Sequence, residues 1–218
     1  MTKFASLILL IFIFSGCNNT SEDIGYYDNG NIKHKIQYKG DAKHGLSTYY
    51  YENGVKQHSF TYSHGILEGV VRKWYPNGKP EYIEHYNDNL LDGEVKRFDP
   101  MGNLIIRKFF KNGKPHGEHR EYWPNGELKK SGNFYEGLFD GEWLYFNDNG
   151  QQIGEATFDK GDGVLKAWYL NGKLQRTVTY RDNEKHGKER HYDQEGKPTH
   201  ENIYNYGSLV SENTITFE

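Results

Sequence analysis

The chain has 218 residues, with 25 glycines, 16% aromatic residues, a single cysteine and a net charge of −3. One cysteine excludes a disulfide framework and any multi-cysteine metal site, and the mild acidity gives no bulk attraction for nucleic acid. The composition is too polar for a thick core yet too aromatic for disorder, which points to one elongated or repetitive β-type domain.

The chain opens with MTKFASLILLIFIFSGC, in which Lys3 precedes an apolar or small run from Phe4 to Phe14. That run is too short to cross a ~30 Å hydrocarbon layer, which needs about twenty residues, and fits the apolar region of an export signal. Residues 1–16 are therefore expected to be a signal peptide. The closing FSGC resembles the lipobox of bacterial lipoproteins. The resemblance implies that Cys17 becomes the acylated N-terminus, anchored stably when it carries more than one chain. By the same resemblance, Asn18 favours the outer over the inner membrane. Residues 17–24 are then the acylated end and a polar tether, and 25–218 the repeat domain.

From there one unit recurs about eight times. Gly30, Gly54, Gly78, Gly102, Gly126, Gly150, Gly172 and Gly196 each close a turn, 24 residues apart except for one step of 22. A second series, Gly45, Gly69, Gly93, Gly117, Gly141, Gly163 and Gly187, keeps the same spacing. The aromatics Tyr38, Tyr62, Tyr86, Phe110, Phe134, Phe158, Tyr180 and Tyr204 form a third. Periods of this length mark repeat architectures. The short unit, 141–162, loses its two residues between Gly161 and Gly163, a position expected to be a loop.

Glycines or turn signals every eight or nine residues leave room for strands rather than helices. In 69–92 the strands are VVRKWY and KPEYIEHY around the turn PNG. A type I′ turn on Asn-Gly would pair Trp74 with Glu81, whereas a type I turn closed by a left-handed Gly78 bulge would pair Trp74 with Pro80. Across all eight units the bulge register sets six apolar or proline residues against the aromatic, and the alternative only two. Such cross-strand pairs contribute roughly 0.2–1 kcal/mol each, so the bulge register is predicted. It is also expected to bring the aromatics Tyr26, Tyr50, Trp74, Phe98, Tyr122, Phe146, Trp168 and Tyr192 onto the same face as the Tyr38–Tyr204 series.

The motifs KHGLSTYYYENG, LDGEVKRFDPMG, PHGEHREYWPNG and KHGKERHYDQEG resemble the variant MORN repeats of bacterial proteins, including those given the YwqK-type antitoxin label. The resemblance spans about 190 residues. It implies an all-β fold: an elongated, curved, single-layer antiparallel sheet of consecutive hairpins. The sequence departs from the pattern at Gly163, Met101-Gly102 and Glu195-Gly196.

Chemistry is sparse. His44, His116 and His186 recur before the second glycine series for a repeat-structural reason, and His116/His119 straddle Gly117 with no helix to align them. Asp88, Leu90 and Asp92 fail the oxygen-ligand pattern of a calcium loop. There is no nucleophile elbow, P-loop or dinucleotide fingerprint. No catalytic residue, metal or cofactor is expected. The aromatics Tyr51, Tyr75, Trp123, Trp143, Tyr145 and Tyr169 fall outside the ladders and have no evident partner layer. Trp123, Trp143 and Tyr145 lie in neighbouring units and are the expected binding platform, with Tyr75 and Tyr169 as further candidates. The resulting expectation is a non-catalytic envelope lipoprotein that binds a protein partner. The alternatives are an antitoxin or immunity-like protein, from the family label, and an envelope glycan or lipid binder.

Overall fold

The computed structural model describes residues 19–215. The signal peptide and the lipidation site Cys17 lie outside them. Strand β1 (Thr20–Tyr26) is followed by β2 (Ile32–Lys39), β3 (Ala42–Tyr50), β4 (Lys56–Ser63), β5 (Ile66–Leu67), β6 (Gly69–Trp74), β7 (Pro80–Asn87), β8 (Leu90–Leu91) and β9 (Gly93–Phe98). The chain continues through β10 (Leu104–Lys111), β11 (Lys114–Tyr122), β12 (Leu128–Tyr135), β13 (Leu138–Phe146) and β14 (Gln152–Asp159). It ends with β15 (Asp162–Trp168), β16 (Leu174–Arg181), β17 (Glu184–Tyr192), β18 (Pro198–Asn205) and β19 (Ser208–Thr214). Each strand pairs antiparallel with its neighbours in the chain, giving one open, single-layer sheet. Segments β5 and β6, like β8 and β9, are halves of one strand interrupted at Glu68 and Asp92. The expected tether is shorter than its predicted bounds, because Thr20–Ile24 pair with β2 instead of running free.

Each unit is built from two turns. In the first, Gly78 N–H donates to Tyr75 O at 2.9 Å and Tyr75 N–H to Lys79 O at 2.9 Å, with Gly78 at φ 84°. Glycine holds that left-handed conformation without steric cost. The predicted register is present in every unit, from Tyr26 opposite Ile32 and Tyr50 opposite Lys56 through Trp74 opposite Pro80 to Tyr192 opposite Pro198. The second turn is a two-residue connection, with both residues at positive φ in every unit after the first, such as Asn112 (49°) and Gly113 (78°) between Lys111 and Lys114.

The register holds for one pair beyond the first turn and then shifts. Lys73 pairs with Tyr82 rather than Glu81, and Tyr49 with His58 rather than Gln57. An extra residue in every second strand (Lys33, Gln57, Glu81, Ile105, Lys129, Ile153, Gln175 and Thr199) forms a β-bulge. A one-residue shift moves every later side chain to the other face. The two aromatic series therefore lie on opposite faces, correcting the expectation that they share one. Tyr62 stands with Phe60, Ser47 and Tyr49, whereas Tyr50 points to the reverse side.

The face that carries Tyr38–Tyr204 has a sealed central row. The residue two places after each glycine of the second series is buried in seven successive units: Ser47, Val71, Val95, His119, Trp143, Leu165 and Glu189. Around Trp143 this row widens into an apolar cluster with Ala156, Phe158, Leu165 and Val178, flanked by Phe134, Phe139, Tyr145 and Tyr180.

The short unit differs from the others within a strand, and the expectation of a loop deletion is corrected. In a regular unit two extra residues on the returning strand, including the positive-φ Gly117, separate Phe110–Pro115 from Lys108–His119. Between β14 and β15 the ladder runs from Asp159–Asp162 to Gly154–Ala167 without a shift. The two missing residues are the two that form this bulge elsewhere. The retracted turn is bridged from the next unit, where Asn183 donates through Nδ2 to Gly137 O (2.8 Å) and accepts from Phe139 N–H (2.7 Å).

Candidate interaction surface

The predicted platform residues occupy three environments. Trp143 is 1% exposed. Its indole lies over Gly132, packs edge-on against Phe134 (5.1 Å) and Phe139 (4.8 Å), and donates from Nε1 to Asn133 O at 3.1 Å. Tyr145 shares that face, beside Gly154, and burial pushes its phenol up to about 12. Trp123 instead donates from Nε1 to Phe146 O at 3.1 Å, with Lys129 Nζ 4.5 Å from its ring centroid.

The others repeat that reach into the next unit. The hydroxyls of Tyr51, Tyr75 and Tyr169 donate to Trp74 O, Phe98 O and Tyr192 O at 2.7–2.9 Å. The expectation that these six aromatics lack partners is thus corrected: Trp143 and Tyr145 belong to the core face, and the remaining four latch each unit to the following turn. A buried Trp143 presents no free ring to a ligand. The structure does not bring Trp123 and Trp143 together as one platform.

It builds instead a continuous row across the sheet, one step from the buried centre. Directly opposed residues run His34, Tyr49, His58, Lys73, Tyr82 and Arg97. The row then passes through Ile106, Glu121, Lys130 and Tyr145, and ends at Arg176, His191 and His200. Its first half is ring-rich: Tyr49 meets Phe60 edge-on at 6.0 Å, and Arg97 stacks over Tyr82 at 5.0 Å. Sequence reasoning missed both this row and the buried row beside it, because the bulge that sets their parity leaves no distinctive residue.

Ionisable groups beside these rows are matched to one another. Glu84 accepts from Arg97 at 2.8 Å and from the Tyr86 hydroxyl at 3.0 Å. Glu189, 2% exposed, pairs with Lys185 at 2.9 Å. Glu121 accepts from His119 Nε2 (2.9 Å) and Lys130 Nζ (2.8 Å), and these contacts hold its carboxyl at about 2. His116 rests on Tyr135, away from the ring contacts of His119 with Trp143 and Phe134. Among the described residues, no group of three or more His, Cys, Asp or Glu side chains is placed to hold a metal ion.

Residues 24–39, 43–64, 67–88, 91–112, 115–134 and 161–182 each match the family described as the MORN repeat variant. The chain belongs to that family. It is therefore a repeat scaffold. No curated protein matches it. Among solved structures, a chain in the crystal structure of TcdB2-TccC3-Cdc42 is similar over 90% of this MORN-variant chain and 17% of its own length, at 10% identity and a TM-score of 0.18. A likeness at that score carries no argument.

Proposed function

We propose that this MORN-variant scaffold is a non-catalytic envelope lipoprotein, anchored through Cys17, that holds a protein partner on the face of the buried row. The observation that carries the reading is the ring-rich half of the neighbouring row. Tyr49, Tyr82 and Arg97 are half-buried and stand beside the buried row, with His58 and Lys73 between Tyr49 and Tyr82. Tyrosine and arginine beside well-packed residues are the side chains that dominate protein interfaces. The mutual pairing of Glu84, Glu121 and Glu189 with neighbouring cations supports a structural rather than catalytic use of the buried charges.

The test is site-specific photo-cross-linking in the native host. A photoreactive side chain at Tyr82 or Arg97 is expected to give one discrete protein adduct, and the same group at Leu46 on the reverse face none. Equal labelling from both faces, or none from either, defeats the reading. The anchor is tested separately. Cys17→Ser is expected to move the folded protein from the membrane to the soluble fraction, and continued membrane retention counts against lipidation.

A further inference from the structure

At the C-terminal end of the sheet the row changes character. Arg176, His191 and His200 are directly opposed there, in the positions that carry rings such as Tyr49, His58 and Tyr82 further up the chain. A groove of about 610 Å³ lies there, across β16–β19. Tyr169 and Tyr192 line it near the turns, and Asn202 contributes to its floor with an Oδ1 that makes no hydrogen bond.

The charge of this groove is balanced. Arg176 and Glu212 both line it, and Arg176 lies 3.5 Å from the buried Glu189, which also sits 3.6 Å from His191 and is matched by Lys185. With Arg176 and Lys185 set against Glu189 and Glu212, the groove has little unspent positive charge for a phosphate or carboxylate ligand. What the groove offers is a mixture: donors on Arg176, an acceptor on Glu212, imidazoles that do either, and the phenol ring of Tyr169. Hydroxyl groups both donate and accept, and the C–H face of a sugar ring packs on aromatic carbon. Concave sites with aromatic walls and a few convergent polar groups are the common form of small-ligand sites.

We infer that this groove binds a neutral saccharide. Sugar hydroxyls bond Arg176, His191, His200 and Glu212 while one ring lies on Tyr169. The site is separate from the Tyr49–Arg97 surface, so it stands or falls independently of the protein-partner reading.

The experiment is binding of the purified protein to an immobilised array of neutral and acidic oligosaccharides, followed by calorimetric titration of the neutral oligosaccharide that binds most strongly. A neutral oligosaccharide is expected to bind with little dependence on salt. His191→Ala with His200→Ala should weaken it by about tenfold or more, with an unchanged melting temperature. His34→Ala, at the opposite end of the same row, should leave binding intact. His200 is exposed, so His200→Ala alone carries the test if the double variant unfolds. The inference is overturned if no neutral oligosaccharide binds, if acidic ones bind best and salt abolishes it, or if folded histidine variants bind as well as the parent.

Discussion

Trp143 can lie flat across strand β12 only because residue 132 has no side chain: a Cβ built there would fall within the indole ring. Gly132 is not at positive φ, so its role is close approach and not backbone freedom. Gly132→Ala is expected to destabilise the protein by about 1–3 kcal/mol through overpacking, and Trp143→Ala by about 3–5 kcal/mol through the cavity left. The double variant should cost less than the two together, because removing the ring removes the clash. Urea unfolding of the four proteins checks this, and strict additivity would show that the ring and the glycine do not meet. The same neighbourhood sets an acid limit. Glu121 sits at about 2 instead of 4.5, chiefly because His119 donates to it, with Lys130 second. A depressed carboxylate contributes its stabilisation in full above its unfolded value and loses it as pH falls through the folded one. The loss should therefore fall between about pH 4.5 and 2, and be worth at most about 3 kcal/mol. Glu121→Gln should lower stability at neutral pH and flatten the acid limb of a stability–pH profile. An unchanged acid limb would remove Glu121 from the account.

At the scale of the element, each turn does two jobs. Asn77 accepts from Lys79 N–H through Oδ1 at 3.0 Å, closing its own turn, and donates through Nδ2 to Pro100 O at 2.8 Å in the next unit. Asn53 and Asn171 do the same towards Pro76 and Gln194. Where Asp99, Asn147 or Asp193 replaces the latching aromatic, that side chain caps its own turn instead. Asn77→Asp keeps the cap and removes the forward donor, and Tyr75→Phe removes the second latch. Each should cost about 0.5–1.5 kcal/mol in chemical denaturation, towards the low end for the exposed Asn77. No loss in either would mean that the latches follow the stacking of turns and do not fix it. Asn183 is the stronger case, because its two bonds span the short unit. Asn183→Ala should cost about 1–3 kcal/mol by leaving Gly137 O and Phe139 N–H without that partner, again read from denaturation. These details show where the sequence was readable. The glycine series and the Trp74–Pro80 pairing follow from turn chemistry, which is local and strict. The bulge at Glu81 does not, since Lys, Gln, Ile and Thr occupy its position in other units. The buried row was equally hidden: Ser47, Val71, His119, Trp143 and Glu189 share a position but no hydropathy.

The whole molecule is a one-dimensional array, in which each unit touches mainly its two neighbours. Stability then approximates a sum of unit and interface contributions, and the sheet tolerates loss of an interior unit whose removal leaves a matched seam. Residues 69–92 satisfy that condition. Excising them joins Glu68 to Gly93, so the buried Val95 follows the preceding unit in the place of Val71. The Tyr51 hydroxyl would then meet Phe98 O in the place of Trp74 O, and the Asn53 amide Pro100 O in the place of Pro76 O, each the corresponding backbone atom one unit on. Excising 141–162 is different. It takes out Trp143, Ala156 and Phe158 from the main apolar cluster and leaves Asn183 facing a unit whose turn is no longer retracted. The first deletion should therefore fold to the same all-β spectrum, with a urea m-value lower by about one eighth because the surface exposed on unfolding shrinks in proportion. The second should lose most of its cooperativity. Circular dichroism and urea titration of the two deletions decide the matter. If both unfold alike, the sheet behaves as one indivisible domain. If both fold alike, the Trp143 cluster contributes no more than any other segment of the spine.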